Sequence, residues 1–144
     1  MRLLVLPAVL KTAISPLSQV LSSKNSMPVL DNILLRPGDT DTSVLLTASD
    51  GDTTMITSLP LLNAEGSGAF VVPAKTILDP LKEMPQQQLC IEIDDENYEV
   101  VVRYSNGKYN FIGGDAAAYP VLKELEDDAK HFDINPQGLL NGVT

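Results

Sequence analysis

Short apolar runs recur along the chain in a fixed order: a strand-like run, a proline, and then apolar residues at helical spacing. This order occurs three times, with its prolines at Pro7, Pro73 and Pro136. The first two prolines are 66 residues apart, from 7 to 73, and the last two are 63 apart, from 73 to 136. Such spacings are too long for a solenoid repeat and indicate a duplicated supersecondary unit. The third copy, in HFDINPQGLLNGVT, is cut short.

Three strand-like runs follow each of the first two helical segments. They are MPVLDNILLR (27–36), SVLLTAS (43–49) and TTMITSLP (53–60) in the first unit, and LCIEI (89–93), YEVVVRY (98–104) and KYNFI (108–112) in the second. Two units of one strand, one helix and three strands predict an α+β domain of eight strands and two helices over residues 1–121, with repeats of about 1–62 and 67–114. Because both helices follow equivalent strands, we expect them side by side on one face of the sheet.

Both predicted helices have an apolar face and a polar face. In the first, the apolar face comprises Leu10, Ile14, Leu17 and Leu21, and the polar stripe comprises Lys11, Ser15, Ser18 and Ser22. In the second, the buried side comprises Ala74, Ile77, Leu78, Leu81 and Met84, whereas Lys75 and Lys82 point outward. A proline inside a helix removes a backbone hydrogen bond and disturbs the preceding turn. We therefore expect Pro16 to kink the first helix and Pro80 to shorten or bend the second.

Composition limits the class of protein. The chain has 144 residues, of which 44% are hydrophobic, enough for one domain with a core. One cysteine and one histidine exclude an internal disulfide framework and leave too few ligands for a zinc site. The start MRLLVLPAVLK is interpreted as a first strand rather than a signal peptide, and no apolar run reaches the length of a membrane span. These features predict a reduced, intracellular protein without a membrane partner.

The net charge of −9 is unevenly distributed. Residues 1–37 carry four cations, among them Lys11 and Lys24, against Asp31, a net charge of +3, so the remaining residues carry −12. An acidic surface argues against broad, nonspecific adhesion to nucleic acid, which needs clustered cations. The distribution is nevertheless compatible with one basic face on an acidic protein.

Catalytic signatures are largely missing from the sequence. It contains no glycine-rich phosphate loop before a helix, no nucleophile elbow and no plausible Cys–His pair. Asp50 and Asp52 in SDGDTT could bind a divalent cation, but an Asp-Gly step between two strands is typical of a hairpin turn. Cys90 and His131 are interpreted as an ordinary strand residue and a surface residue. We therefore predict no catalytic residue, no metal site and no cofactor.

Four lysines remain as candidates for function. Lys24 lies in the small polar loop SSKNSMP, and Lys11, Lys75 and Lys82 belong to the predicted helices. Taken singly, each is better explained by solvation than by contact with phosphate. Taken together they favour a shared cationic face, because the two equivalent helices should lie next to each other.

Four segments in register resemble the bacterial DNA polymerase III beta subunit family, the sliding clamps. SSKNSMPVLDNILL (22–35) resembles the basic loop and Leu-Pro-Ile-Leu-x-Asn strand of the family, and FVVPAKTILDPLKEMP (70–85) its Val-Pro-Ala-basic second helix. YEVVVRYSNGKYNFIGG (98–114) resembles its hairpin, and AAYPVL (117–122) its Phe-Pro-x-Leu segment, here with Tyr119. The resemblance covers nearly the whole chain.

This resemblance implies the DNA-clamp fold and the first domain of a three-domain chain. Two such chains close head to tail into a non-catalytic, cytoplasmic ring that slides on duplex DNA at the nucleoid and acts as the processivity factor of the replicative polymerase. Lys24 and Lys75 match DNA-facing positions of the family, and Lys82 matches a further basic position on its second helix. Lys11 rests on the helical wheel alone, and the four together are the expected DNA-binding residues. Residues 122–130 would be an acidic interdomain linker and residues 131–144 the truncated start of the second domain. The cleft for polymerase and clamp loader belongs to the domains that this chain lacks.

The resemblance also implies a subunit interface. Lys108, Tyr109 and Phe111 match the strand that meets the third domain of the other subunit, and Thr76 and Pro80 stand where the family often has a basic and an apolar residue near that contact.

Two other classes of protein stay open. A standalone β-rich protein-interaction module is the main alternative, and a metal-dependent hydrolase using Asp50 and Asp52 is a remote third. A natural gene that continues for about two more domains would favour the clamp.

Overall fold

The computed structural model describes residues 1–21, 27–84, 86–120 and 125–144. The strands are β1 (Arg2–Val5), β2 (Asn32–Pro37), β3 (Ser43–Ser49), β4 (Thr54–Pro60), β5 (Asn63–Glu65), β6 (Phe70–Pro73), β7 (Leu89–Ile93), β8 (Glu99–Tyr104), β9 (Gly107–Ile112) and β10 (Gly114–Asp115). The α-helices are α1 (Pro7–Val20), α2 (Ala74–Leu81) and α3 (Pro136–Val143), and short 3-10 helices span Pro28–Asp31 and Ala116–Ala118.

The strands form two antiparallel five-stranded sheets, and each sheet combines strands from both repeats. The first sheet has the order β5-β1-β7-β8-β9, and the second has the order β10-β6-β2-β3-β4. In the first sheet Leu3 of β1 lies opposite Ile91 of β7, and in the second Val71 of β6 lies opposite Leu34 of β2. The first strand of each repeat therefore lies in one sheet with the last three strands of the other repeat.

One apolar core joins both sheets and both N-terminal helices. Leu10, Ile14 and Leu17 of α1 are buried, as predicted from their helical spacing. The buried residues of α2 are Ala74, Ile77 and Leu81. These side chains form a single cluster with the inward-facing residues of the two sheets. Because this burial is shared, we infer that neither repeat has a complete core of its own.

The α+β class and the duplicated unit are confirmed. The eight predicted strands are present, but they are divided between two sheets, and the short strands β5 and β10 are added to them. Periodicity identifies which face of a strand is buried, but it does not identify the neighbouring strand. The exchange of β1 and β6 between the repeats was therefore not visible in the sequence.

The prediction of a continuous strand over residues 27–36 was wrong in its first half. A 3-10 helix occupies Pro28–Asp31, and β2 begins only at Asn32. Pro28 has a fixed φ and no N–H to give to a sheet, and the Leu30 N–H donates to the Met27 carbonyl at 3.0 Å. This turn occupies the first part of the apolar run that the sequence assigned to one strand.

The two interior prolines lie where the sequence predicted, inside α1 and near the end of α2. Helix α1 continues past Pro16 to Val20, and the kink at Pro16 stays a prediction. Helix α2 ends at Leu81, one residue after Pro80, which confirms that it is short.

The prediction of a strand and a helix in residues 131–144 is only partly confirmed. Helix α3 forms, and the Asn135 side chain accepts a hydrogen bond from the Gln137 N–H at 2.9 Å, as an N-cap does. The predicted strand at residues 131–134 is wrong: these residues are exposed and have no regular structure. Phe132 is 80% exposed. A strand needs a neighbour to pair with, and the described part of the chain supplies none here.

Candidate nucleic-acid interface

Two of the candidate lysines line one groove beside the helices. Lys11 on α1 and Lys82, just after α2, border a groove of about 600 Å³. Polar side chains on the same exposed side of α1, among them Thr12 and Ser15, complete its wall. The groove therefore combines two cations with short hydroxyl side chains, and both kinds of group can contact phosphate oxygens.

Lys75, the remaining candidate lysine among the described residues, lies in a separate groove where the end of α1 meets the start of α2. Lys75 borders this groove of about 390 Å³ together with Ser18, Asp31 and Asn32. Lys75 is exposed. The helix pair therefore carries Lys11, Lys75 and Lys82 in two adjacent grooves, whereas Lys24 lies outside the described residues.

Lys82 differs from its prediction in one respect. It follows the last residue of α2 instead of belonging to the helix, and its N–H donates to the Asp79 carbonyl at 3.3 Å. Its Nζ is 3.1 Å from the Asp79 carboxylate, and the two side chains are 57% and 65% exposed. An exposed ion pair of this kind contributes little to stability, so the lysine can exchange Asp79 for another anion at small cost.

Acidic residues are concentrated away from α1. That helix contains no aspartate or glutamate. Two hairpin tips each contain an acidic cluster, which is Asp50 with Asp52 in the first and the run from Asp94 to Glu96 in the second. All of these acidic side chains are exposed. The described candidate lysines therefore lie on or next to the helices, whereas these acidic clusters, which would repel phosphate, lie in the hairpin loops.

The turn between β3 and β4 bears out the hairpin interpretation of SDGDTT. The Asp50 carboxylate accepts hydrogen bonds from the backbone N–H groups of Asp52 at 2.9 Å and Thr53 at 2.7 Å. These two hydrogen bonds, of which the one from Thr53 has the larger effect, lower the pKa of Asp50 below its usual value. Among residues 1–21, 27–84, 86–120 and 125–144, no group of three His, Cys, Asp or Glu side chains is arranged to hold a metal ion. The carboxylate that could have bound a cation instead closes a turn.

The candidate interface strand β9 is an edge strand of the first sheet. Tyr109 and Phe111 are half-buried on one side of it, their rings stacked with centroids 6.1 Å apart, and Tyr104 of β8 continues the row at 6.5 Å from Tyr109. Burial raises the pKa of Tyr109 to about 12. Lys108 lies on the other side of the strand and is exposed. The aromatic row packs partly against the main core, so the strand presents an exposed cation and one edge of free backbone groups within the described chain.

The other two predicted interface residues lie on α2. Thr76 is exposed and Pro80 is partly buried, and neither is charged.

One cation near this strand escaped the sequence analysis. Arg103 on β8 lies directly opposite Lys108, and its Nε is 3.5 Å from the Glu92 carboxylate. The hairpin turn between β8 and β9 could have revealed the first relationship, because the turn fixes the register. Its pairing with Glu92 depends on the sheet order and could not be predicted.

Sequence comparison connects this arrangement to known proteins. The family described as "DNA polymerase III beta subunit, N-terminal domain" matches residues 1–123. The beta sliding clamp of Halalkalibacterium halodurans is 28% identical over 137 residues, which cover 90% of this chain and 35% of that protein. The beta sliding clamp of Escherichia coli K12 is 26% identical over 121 residues, which cover 81% of this chain and 32% of that protein. The chain spans about a third of the length of these relatives.

Solved structures show the same fold. The beta subunit of a Streptococcus pyogenes DNA polymerase matches with a TM-score of 0.79 and 23% identity, covering 90% of this chain and 34% of that one. A DNA polymerase sliding clamp from Bacillus subtilis matches with a TM-score of 0.75 and 24% identity, covering 88% of this chain and 34% of that one. Within the described ranges, no helix of this protein is long and apolar enough to cross a membrane.

Proposed function

This chain belongs to the DNA polymerase III beta subunit family, whose N-terminal domain it contains, and we propose that it is one sector of a sliding clamp. In this proposal the complete protein forms a ring of two head-to-tail subunits around duplex DNA and acts as the processivity factor of the replicative polymerase. The chain has no catalytic role, and the ring is cytoplasmic and associated with the nucleoid. A standalone interaction module is not favoured, because the family match extends over most of the chain.

The cations of the helical layer are the observation that carries the proposal. Lys11, Lys75 and Lys82 lie in two adjacent grooves of the helix pair, and α1 carries no carboxylate. Lysines on one exposed layer can contact the phosphates of a duplex without reading its bases. Lys24, which precedes the 3-10 helix Pro28–Asp31, joins this set by its match to the family motif.

The small number of cations suits a protein that must move along DNA. Each phosphate neutralised by a lysine adds a counterion-release contribution, so many contacts would make binding tight. Four lysines on a chain of net charge −9 instead give weak attraction at one face and repulsion elsewhere. Retention on DNA would then come from closure of the ring, not from affinity.

The subunit contact is assigned to β9 and α2. Lys108, Tyr109 and Phe111 on the free edge of the first sheet, with Thr76 and Pro80 on α2, would meet the third domain of the other subunit. An unpaired edge supports this assignment, because it can continue the sheet across a domain boundary. The replicative polymerase and the clamp loader would bind the domains that follow this chain in the complete protein.

Binding of a short fluorescent duplex at low salt tests the DNA face. We expect weak binding by the 144-residue chain and a clear loss in the double variant Lys24→Ala, Lys75→Ala. The double variant Lys108→Ala, Lys130→Ala removes the same charge away from the helices and is the matched control. Affinity that is unaffected by the first change, or is lowered equally by both, would contradict the proposed face.

A further inference from the structure

A second apolar cluster lies on the outer face of the second sheet, away from the main core. Leu34 of β2 lies in register between Thr47 of β3 and Val71 of β6, and all three are buried. Leu30 and Tyr119 cover this row. We call Leu30, Leu34, Val71 and Tyr119 the outer cluster.

The two covering residues come from opposite parts of the chain. Leu30 belongs to the 3-10 helix Pro28–Asp31 that leads into β2, and Tyr119 follows the 3-10 helix Ala116–Ala118, where the chain leaves the domain. Leu30 is 2% exposed and Tyr119 is 5% exposed. Each would become more exposed if the other segment moved away, because both belong to the same small cluster.

Both covering segments are too short to be stable alone. The Leu30 N–H donates to the Met27 carbonyl at 3.0 Å, and the Tyr119 N–H donates to the Ala116 carbonyl at 3.0 Å. A single helical turn fixes several dihedral angles for one or two hydrogen bonds, so its formation is unfavourable without tertiary contacts. The apolar contacts of the outer cluster are therefore the main interactions that hold these turns on the sheet.

We propose that the outer cluster couples the entry to β2 with the exit from the domain, so that the two segments open and close together. Removing Tyr119 would expose Leu30 and lower the stability of its turn, and removing Leu30 would do the same to the turn at Tyr119. The thermodynamic coupling is reciprocal, as for any two groups that share one contact.

The functional meaning of this coupling rests on the proposed function. The entry segment directly follows the loop that contains Lys24, and the exit segment directly precedes the linker at residues 122–130. In a clamp, the outer cluster would hold the DNA-facing loop and the path to the second domain in a fixed relation. The coupling itself requires neither DNA nor a second subunit.

Residue-resolved hydrogen exchange on the 144-residue chain tests the coupling. In Tyr119→Ala we expect the Leu30 amide to exchange about tenfold faster or more, and in Leu30→Ala the same for the Tyr119 amide. The slowest amides of β7 and β8 should change less, because they lie in the other sheet. Tyr119→Phe keeps the ring and should leave the Leu30 amide at its original rate.

Two controls separate local coupling from general loss of stability. Leu59→Ala removes a buried residue of the main core and should accelerate the β7 and β8 amides as much as the Leu30 amide. If Tyr119→Ala does not fold, Tyr119→Leu should give a smaller acceleration with the same pattern. An unchanged exchange rate of the Leu30 amide in folded Tyr119→Ala or Tyr119→Leu, or an acceleration equal to that of the β7 and β8 amides, would overturn the coupling and leave the DNA-binding result unaffected.

Discussion

Arg2 lies directly opposite Glu92 in the neighbouring strand, with its Nε 3.8 Å from the Glu92 carboxylate. One residue belongs to the first repeat and the other to the second. The ion pair is exposed and contributes little by itself. Because β1 pairs with β7, the first sheet is built from strands of both repeats.

The interlocked repeats predict that neither half folds alone. Cutting the chain after Gly66, in the exposed loop before β6, separates β1 from β7 and β2 from β6. We expect residues 1–66 and 67–144 each to be unfolded by circular dichroism and NMR, and to assemble into the native fold when mixed. A fragment 1–125, which loses no buried residue, is the control and should stay folded. A cooperative unfolding transition for residues 1–66 alone would refute the interlocked core.

Gly51 in the β3–β4 turn has a φ of +97°, and a Cβ there would meet only Leu30 at 4.0 Å. Gly51→Ala should therefore lose stability through backbone strain and not through a clash, by about 1–2 kcal/mol in chemical denaturation. Gly142→Ala, where a Cβ meets nothing within 4 Å, is the matched control and should leave the unfolding midpoint unchanged. Equal midpoints for the two variants would mean that the turn does not impose this conformation.

The Tyr119 hydroxyl is buried and makes no hydrogen bond of good geometry among the described residues. Burial raises the pKa of this phenol, although the Ser49 backbone lies close enough to lower it slightly. Removing a buried polar atom without a partner relieves its desolvation cost, so Tyr119→Phe should be as stable as the original chain or more stable by about 1 kcal/mol. Tyr119→Ala should be less stable than Tyr119→Phe, because it removes the ring. A clear loss of stability in Tyr119→Phe would show that the hydroxyl is bonded.

The raised pKa of Tyr109 predicts a fall in the free energy of unfolding at high pH. Its pKa is raised from 10.0 to about 12 by burial, so the folded state favours the neutral phenol. The stability that this phenol provides should be complete below pH 10 and should fall between about pH 10 and 12, where the unfolded chain ionises first. Denaturant unfolding at several alkaline pH values measures this fall, which should be smaller in Tyr109→Phe. The same fall in both chains would exclude Tyr109 as its cause.

Local features of this protein could be predicted from the sequence, whereas partners distant in the chain could not. The spacing of Leu10, Ile14 and Leu17 identified the buried face of α1, and Pro136 identified the start of α3. The exchange of β1 and β6 depends on which strands meet, and no local pattern records that choice. The 3-10 turn at Pro28 looked like a strand because Val29 and Leu30 form part of an apolar segment that leads into β2. The exposure of the candidate lysines could be predicted from the sequence. It could not be predicted that Lys11 and Lys75 lie in two different grooves.

Lysine acetylation footprinting with and without a duplex at low salt tests the DNA-facing helical layer most directly. The account predicts that duplex DNA slows acetylation of Lys11, Lys24, Lys75 and Lys82 and leaves the rates at Lys108 and Lys130 unchanged. Protection of all lysines alike, or of Lys108 and Lys130 instead of the helical set, would contradict it.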